Sequence, residues 1–231
     1  MLLLSGKKTF TFVLFCLLGI VFIAAPGNSC ADGTLATIKE ELQSGSWQVR
    51  LAAVEKLEKR RDKEALDVLL DVAGTWTEKW PVKIKAIQYL GEARYLKSAD
   101  LLLAIFNNPF LNWECPAIKS YTATALGYFK GNQKVIDTLI SGIDDGELLV
   151  REASIDSLGR IGDPQAVPYL VRLMGDRNST IRLSVMKALG EIGDPGTIPD
   201  IQRAMTKEPD AVVRNEALTA LNHVREKSEV D

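Results

Sequence analysis

Histidine is almost absent from this chain of 231 residues, and cysteine is scarce. His223 is the single histidine, which excludes a histidine-rich metal site and a catalytic triad supported by a second histidine. No Cys-x-x-Cys or Cys-x-x-Cys-His motif occurs, so zinc ribbons and covalent haem attachment are excluded as well. Phosphate-binding loops of the Gly-x-Gly-x-x-Gly and Gly-Lys-Ser/Thr types are also missing. We therefore expect neither a metal ion nor a cofactor.

Carboxylates are plentiful, but no pair of them is placed for acid/base catalysis. Asp144-Asp145 falls in a predicted turn, and Glu40-Glu41 falls on the polar face of a predicted helix. Adjacent acids on a helix point in different directions, so they do not converge on one reacting group. We therefore expect a protein that is not an enzyme.

An excess of basic residues is lacking too. From Asp32 onward the chain has 26 Lys and Arg against 30 Asp and Glu. Nucleic-acid binding needs a basic surface that neutralises phosphates, so we expect no nucleic-acid partner. Cys115 is the only cysteine after Ala31, and the same part of the chain therefore cannot form an internal disulfide.

The N-terminus has the three parts of an export signal. Lys7 and Lys8 precede an uncharged apolar run of 16 residues, Phe10–Ala25. Ser29-Cys30-Ala31 then offers small residues before a cut at Asp32. The sequence thus predicts a signal over residues 1–31 and an exported mature chain over 32–231, in the periplasm or otherwise associated with the cell envelope.

Two alternatives for this segment remain open. The first is an uncleaved membrane anchor, although the apolar run is shorter than the roughly 20 residues of a spanning helix. The second is a lipid on Cys30, although Gly27-Asn28-Ser29 is a poor match to the aliphatic and small residues expected before such a cysteine. Membrane contact is expected only through one of these two routes.

One phrase recurs along the rest of the chain. Val150-Arg151 is followed by Leu158-Gly159 and then by Gly-Asp-Pro. The same pattern begins again 31 positions later, at Ile181-Arg182. A β-branched residue, a basic residue and a leucine seven positions on recur six times, with steps of 33, 36, 32, 31 and 32. The six copies begin at Val49-Arg50, Val82-Lys83, Ile118-Lys119, Val150-Arg151, Ile181-Arg182 and Val213-Arg214. A fixed period of this size is typical of stacked repeats.

Each phrase predicts an amphipathic helix, and a shorter apolar helix precedes each one. The shorter helices are predicted at Leu35–Leu42, Ala65–Val72, Leu101–Phe106, Val135–Ile143, Val167–Met174 and Ile198–Met205. Asp163-Pro164 and Asp194-Pro195 are start signals for two of them. The predicted fold class is all-α: an α-solenoid of about six helical hairpins, with twelve helices and no strand.

The motif Val-Arg-x-x-Ala-x-x-x-Leu-Gly-x-Ile-Gly-Asp-Pro resembles the HEAT repeat, in the short-turn variant found in phycobilin lyases. The resemblance covers essentially all of residues 32–231 and implies the fold rather than a function. HEAT-type deoxyhypusine hydroxylases hold iron through His-Glu pairs, and here His223 is followed by Val224.

The HEAT resemblance also implies a ladder between neighbouring repeats, in which an acid six positions before the basic residue takes part. These acids are present in the last three repeats, as Asp145, Asp176 and Glu208, and absent from the first three. Arg151, Arg182 and Arg214 are therefore expected to be structural, and Arg50, Lys83 and Lys119 to be freer. Asp176 is expected to pair with Arg182, so Arg182→Ala should destabilise the array more than Lys83→Ala.

A partner site is predicted on the concave face, which the second helices line in HEAT arrays. The stripe at positions 2, 5 and 9 after each basic residue is mostly of mixed charge, and it includes Lys85 and Gln88. The third repeat differs, because it has Tyr121 and Tyr128 there. Ten of the twelve aromatic residues after Ala31 lie between Trp76 and Phe129, and a long turn adds Phe110 and Trp113. These rings either form a binding patch or fill the core, as Tyr89 suggests.

The sequence thus predicts an exported, non-enzymatic scaffold. It would bind a protein partner through its concave face and an aromatic patch in the second and third repeats. The alternative is a bilin-lyase-like subunit for chromophore attachment, which the export signal argues against. A third hypothesis is a receptor for a small ligand or peptidoglycan that uses the aromatic patch.

Overall fold

The computed structural model describes residues 33–110 and 115–229, so the predicted signal over 1–31 lies outside the described residues. Leu35–Asp231 forms one compact unit. In the described ranges there is no strand, and no helix combines the length and apolar character that crossing a membrane requires. The prediction of an all-α fold is confirmed.

Twelve α-helices lie wholly within the described residues, and they alternate as the sequence predicts. They are α1 (Leu35–Glu41), α2 (Trp47–Arg60), α3 (Lys63–Gly74), α4 (Trp80–Glu92), α5 (Ala99–Phe106), α6 (Pro116–Leu126), α7 (Gln133–Gly142), α8 (Leu148–Ile161), α9 (Val167–Arg172), α10 (Ser179–Ile192), α11 (Ile198–Lys207) and α12 (Ala211–Ser228). Each odd-numbered helix and the even-numbered helix after it form one hairpin. Each even-numbered helix also packs on the next even-numbered helix, so these six form a continuous layer.

The leucine of each repeat phrase anchors this layer. All six leucines are buried in one core that runs the length of the array. They are Leu57, Leu90, Leu126, Leu158, Leu189 and Leu221. Burial of such a side chain contributes about 1.5–3 kcal/mol, and the recurrence of leucine places that contribution in every repeat.

The Asp-Pro signals do start new elements, but each opens a 3-10 turn before the α-helix. Asp163 caps the turn Pro164–Ala166 by accepting a hydrogen bond from the backbone N–H of Gln165 at 2.9 Å. Pro168 has no N–H to donate to the carbonyl of Pro164 four residues earlier. The N–H of Val167 donates to that carbonyl instead, which gives the tighter turn. The same arrangement recurs at Pro195–Thr197.

Ion pairs link consecutive repeats, but they do not join the residues that the sequence predicts. Arg182 bonds Glu208 of the next repeat, and Arg151 bonds Asp176 of the next repeat. The expected pairing of the Asp176 carboxylate with Arg182 is wrong. Arg182 donates instead to the backbone carbonyl of Asp176 at 2.7 Å, while the carboxylate accepts from the N–H of Asn178. The acid therefore closes its own turn and faces the preceding repeat.

The basic residues expected to be freer are also engaged. Arg50 bonds Glu78 through two hydrogen bonds, and Lys119 bonds Asp145 at 2.6 Å. Lys83 is only 1% exposed and donates to the carbonyl of Ala73 at 2.8 Å. Burial lowers the pKa of Lys83, although the charge of Glu78 opposes this shift. The expectation that these three residues are freer than the basic residues of the last three repeats is wrong.

Arg214 is the last residue of the ladder series. It donates to the backbone carbonyls of Glu208 and Pro209 at 2.7 and 2.8 Å. It makes no ion pair within the described residues, because no later described repeat supplies an acid.

Candidate functional site

Small residues bring the even-numbered helices close together near their C-terminal ends. A Cβ on Gly159 of α8 would lie 2.7 Å from the Cα of Ala188 on α10. A Cβ on Gly190 of α10 would lie 2.9 Å from the Cα of Ala220 on α12. Only glycine permits backbones to approach this closely. Polar side chains lie over these contacts, and Oε2 of Glu191 would be 2.8 Å from a Cβ on Gly159.

These side chains border a groove across α8, α10 and α12, with a volume of about 870 Å³. Its polar lining consists of Asp156, Arg160, Lys187, Glu191, His223, Glu226 and Lys227. Five of these seven occupy positions 5 or 9 of the exposed stripe, which sequence reasoning treats as ordinary solvated surface. In the structure these side chains line one groove.

Two cations of the groove are held by neighbouring repeats. Arg160 donates to the backbone carbonyl of Thr124 at 3.1 Å, and its guanidinium carbon lies 4.9 Å from the centre of the Tyr128 ring. Lys227 donates to the backbone carbonyl of Glu191. The guanidinium of Arg160 and the ammonium of Lys227 therefore already have hydrogen-bond acceptors within the array.

The carboxylates of the groove are not neutralised in this way. Asp156, Glu191 and Glu226 make no ion pair with any described residue. Oδ1 of Asp156 is buried and has no hydrogen-bond partner among the described residues. A buried acceptor without a donor is unfavourable by about 1–3 kcal/mol. The groove therefore offers acceptors to an incoming N–H group or cation.

The tyrosines expected to share one exposed face have different environments. Tyr121 lies on α6 and is 39% exposed. Tyr128 lies two residues beyond the end of α6, is half-buried, and packs against the core and Arg160. The expectation of one helical stripe assumes that the helix continues to Tyr128, but α6 ends at Leu126. Tyr128 therefore borders the groove by supporting Arg160.

The remaining residues of the predicted aromatic patch are spread further apart. Phe110 is 78% exposed and precedes α6, at the opposite end of that helix from Tyr128. The 11 residues of α6 span about 16 Å. Trp113 lies outside the described residues. Lys85 lies with Nζ 5.3 Å from the centre of the Tyr89 ring, and Gln88 is half-buried.

A family model described as HEAT repeats matches residues 35–111, 109–177 and 150–222. The chain is a HEAT-repeat protein. The matches cover most of the chain, so the family predicted from the repeated phrase is confirmed. No curated protein matches this HEAT-repeat protein significantly.

Solved structures of other repeat proteins are similar to this HEAT-repeat protein. An archaeal HEAT-like repeats protein from Thermococcus onnurineus NA1 has 15% identity and a TM-score of 0.52, over 82% of this chain and 86% of that chain. A designed armadillo repeat protein in complex with the peptide (KR)4 has 14% identity and a TM-score of 0.56, over 83% and 100%. The complex of CpcE and CpcF of phycocyanin lyase from Nostoc sp. PCC7120 has 22% identity and a TM-score of 0.43, over 90% and 70%. Identities this low extend to the fold alone.

Proposed function

We propose that this HEAT-repeat protein is a non-enzymatic scaffold that binds an extended segment of a protein partner in the groove across α8, α10 and α12. The observation that carries the proposal is a groove of about 870 Å³ whose three carboxylates have no ion pair with any described residue. Grooves of this kind bind through a few placed polar groups. An extended peptide has backbone N–H groups and side chains that can bond these carboxylates.

Although the groove also contains the exposed cation Lys187, its three carboxylates without ion pairs are the groups that would bind a lysine or arginine of a partner segment. Arg160 and Lys227 are bonded to backbone carbonyls, whereas Asp156, Glu191 and Glu226 have no cation. Charge-assisted hydrogen bonds from a partner cation to these carboxylates are stronger than neutral ones. A designed armadillo repeat protein of similar fold is in complex with the peptide (KR)4, which supports a basic peptide as the kind of partner.

The aromatic residues of the third repeat extend the proposed surface. Tyr121 is exposed on α6, and Tyr128 joins that helix to the groove through its contact with Arg160. Tyrosine loses few rotamers on binding and is common at binding hot spots. A partner segment would thus run from Tyr121 along the even-numbered helices to His223.

The proposed place of action is the cell envelope. Lys7, Lys8 and the apolar run Phe10–Ala25 have the composition of an export signal. A scaffold exported in this way would meet its partner outside the cytoplasm. Fractionation of cells that express the full chain tests this part of the proposal, since recovery in the cytoplasm would contradict it.

Capture from the cell envelope with matched charge variants tests the binding function. Asp156→Asn with Glu226→Gln removes two groove carboxylates and should reduce recovery of the partner about tenfold or more. Asp100→Asn with Glu64→Gln makes the same chemical change on exposed odd-numbered helices and should leave recovery unchanged. Equal recovery by all three proteins would contradict the groove assignment. A bilin absorbance change on mixing would contradict the non-enzymatic assignment.

A further inference from the structure

A second groove, the α9–α11 groove, lies between the odd-numbered helices of the last two repeats and has a volume of about 450 Å³. Val171 of α9, Met174 in the turn after it and Ala204 of α11 supply its apolar lining, and all three belong to the hydrophobic core or pack against it. Arg182 lines this groove and Glu191 lines the groove across α8, α10 and α12. These two residues lie in the first and last turns of α10, about 14 Å apart along its axis. The two grooves share no lining residue.

Every carboxylate that lines the α9–α11 groove already has a cation within the array. The three ion pairs are Asp176–Arg151, Glu208–Arg182 and Asp200–Arg203, with nitrogen–oxygen distances of 2.5, 2.7 and 2.9 Å. The first two of these pairs also join consecutive repeats, so their carboxylates are committed to the stacking of the array. Among its described lining residues, this groove therefore has no unpaired acid to offer to a basic partner.

The cations around the α9–α11 groove are not balanced in the same way. Lys207 is exposed at the end of α11 and makes no ion pair with any described residue. Arg203 is 66% exposed, and its partner Asp200 lies one turn away on the same helix. Exposed pairs of this kind are weak, so the guanidinium of Arg203 can turn to an incoming acid. Arg214 donates to the carbonyl of Pro209 in the groove and also lacks an ion pair among the described residues.

The equivalent groove between the first two repeats lacks these cations. It lies between α1 and α3, with a volume of about 560 Å³. Its lining residues at 68, 71, 72 and 75 have the same spacing as 200, 203, 204 and 207 in the α9–α11 groove. Asp71 therefore takes the place of Arg203, and Thr75 takes the place of Lys207. Stacking of the repeats does not require cations at these two positions, so they are a specific property of the last two repeats.

We propose that the α9–α11 groove binds an acidic segment of a protein partner, through an apolar side chain flanked by carboxylates. The apolar side chain contacts Val171, Met174 and Ala204, and the carboxylates accept hydrogen bonds from Arg203 and Lys207. Charge-assisted hydrogen bonds of this type are strong, and clustered cations are a recurrent means of recognising acidic motifs. Charge complementarity favours an acidic occupant over a basic one. This surface therefore has the opposite charge preference to the groove across α8, α10 and α12.

Fluorescence anisotropy with labelled synthetic peptides tests the proposal on the purified chain. The probe DEELFEED places acids around two apolar residues. NQQLFQQN replaces every acid by its amide, and DEESSEED replaces the two apolar residues. Arg203→Gln with Lys207→Gln should weaken binding of DEELFEED about tenfold. Lys39→Gln with Lys63→Gln is the matched control, because both lysines are exposed on α1 and α3 and Lys39 lines the equivalent groove.

The unchanged chain and the control should bind DEELFEED equally, and about tenfold more tightly than they bind either altered peptide. Binding should weaken in high salt, because ion pairs contribute to it. Both variants should keep the melting temperature of the unchanged chain, since the substituted side chains are exposed. Asp156→Asn with Glu226→Gln should bind DEELFEED normally, so this result is separate from the proposed scaffold function.

Several results would overturn the proposal. The first is failure of the unchanged chain to bind DEELFEED, and the second is equal binding of the amide peptide. Undiminished binding by the Arg203 and Lys207 variant, or loss of binding in the control, would place the acidic peptide elsewhere on the surface. Displacement by inorganic phosphate at constant ionic strength would show a simple anion site. Self-association of the unchanged chain that this variant abolishes would assign the groove to a second copy instead.

Discussion

Arg182 of the fifth repeat holds Glu208 of the sixth through two hydrogen bonds of 2.7 Å each. The same guanidinium donates to the backbone carbonyl of Asp176 in its own repeat. One side chain thereby joins the turn of its own hairpin to the turn of the next. This contact explains why an arginine recurs at the start of the even-numbered helices, where burial alone would favour an apolar residue.

The first prediction concerns the contribution of this pair to stability. Glu208→Gln should lower the free energy of unfolding by about 1.5–3 kcal/mol at neutral pH, because hydrogen bonds to charged groups are stronger than neutral ones. Asp144→Asn is the control, since Asp144 pairs with Arg172 between repeats but both side chains are more than half exposed. The control should change stability by no more than about 1 kcal/mol. Urea unfolding followed by circular dichroism measures both.

The same pair predicts a pH dependence. The hydrogen bond from Arg182 lowers the pKa of the Glu208 carboxyl in the folded chain, against an ordinary value of 4.5. The contribution of Glu208 is therefore fully present above pH 4.5 and is lost as the pH falls through the lower, folded value. The stability difference between the unchanged chain and Glu208→Gln should shrink over that acid range. A difference that stays constant down to pH 3 would contradict the role of the carboxylate.

The second prediction concerns Lys83, whose side chain is buried rather than solvated. Lys83→Ala leaves a cavity and an unpaired Ala73 carbonyl, so it should destabilise the protein by roughly 2–5 kcal/mol. Lys83→Met keeps most of the volume but also leaves the Ala73 carbonyl unpaired, so it should be milder, at about 1–3 kcal/mol. Thermal unfolding of both variants decides between these values. Equal and small shifts in melting temperature would show that the Lys83 side chain is exposed to solvent.

This prediction differs from the sequence-based one, in which Arg182→Ala destabilises the protein more than Lys83→Ala. That ranking assumes that Lys83 has no partner, because the position six residues before it is Thr77 and not an acid. In the structure Lys83 donates to the carbonyl of Ala73 on the preceding helix. Both variants should therefore fall in a similar range.

The third prediction concerns the close packing of the even-numbered helices. Gly190→Ala adds a Cβ 2.9 Å from the Cα of Ala220, so it should destabilise the array by about 1–3 kcal/mol although alanine favours helix. Gly175→Ala is the control, because nothing lies within 4 Å of the added Cβ. The control should be neutral or stabilising by up to about 1 kcal/mol. If Gly190→Ala melts at or above the temperature of the control, the helices are not in close contact.

The fourth prediction separates the two tyrosines of the third repeat. Tyr121→Ala should leave the melting temperature nearly unchanged, because the ring is exposed on α6. Tyr128→Ala should lower it, because this ring packs against the core and under Arg160. Partner capture should weaken in both, directly for Tyr121 and through Arg160 for Tyr128. Identical melting temperatures for the two variants would contradict the difference in burial.

Much of the fold follows from the sequence, because the repeat pattern reports burial directly. Leu158 and Leu189 recur at a fixed spacing and both are buried, so the pattern predicts the helices and their stacking. Ladder pairing could not be predicted in the same way. A carboxylate six positions before an arginine can face either neighbour, and only the turn geometry, in which Asp176 bonds the N–H of Asn178, settles its direction.

The candidate site was harder to predict than the fold. The stripe positions identify Asp156 and Glu191 as residues on one face, but mixed charge on a helix is usually solvated. The groove depends on the close approach of Gly159 to Ala188, which is a contact between repeats. The predicted position of Tyr128 is wrong for a different reason: α6 ends at Leu126, so Tyr128 does not lie on the predicted helical stripe.

Site-specific photo-cross-linking in the cell envelope tests whether the partner binds in the groove. A photoreactive residue replaces either Lys187, which is exposed in the groove, or Gln202, which is exposed on the odd-numbered helix α11. Binding in the groove predicts a discrete cross-linked protein from position 187 and none from position 202. It further predicts that Asp156→Asn with Glu226→Gln abolishes the cross-link. The same protein cross-linked from both positions, or a cross-link from 187 that survives the groove variant, would contradict binding in the groove.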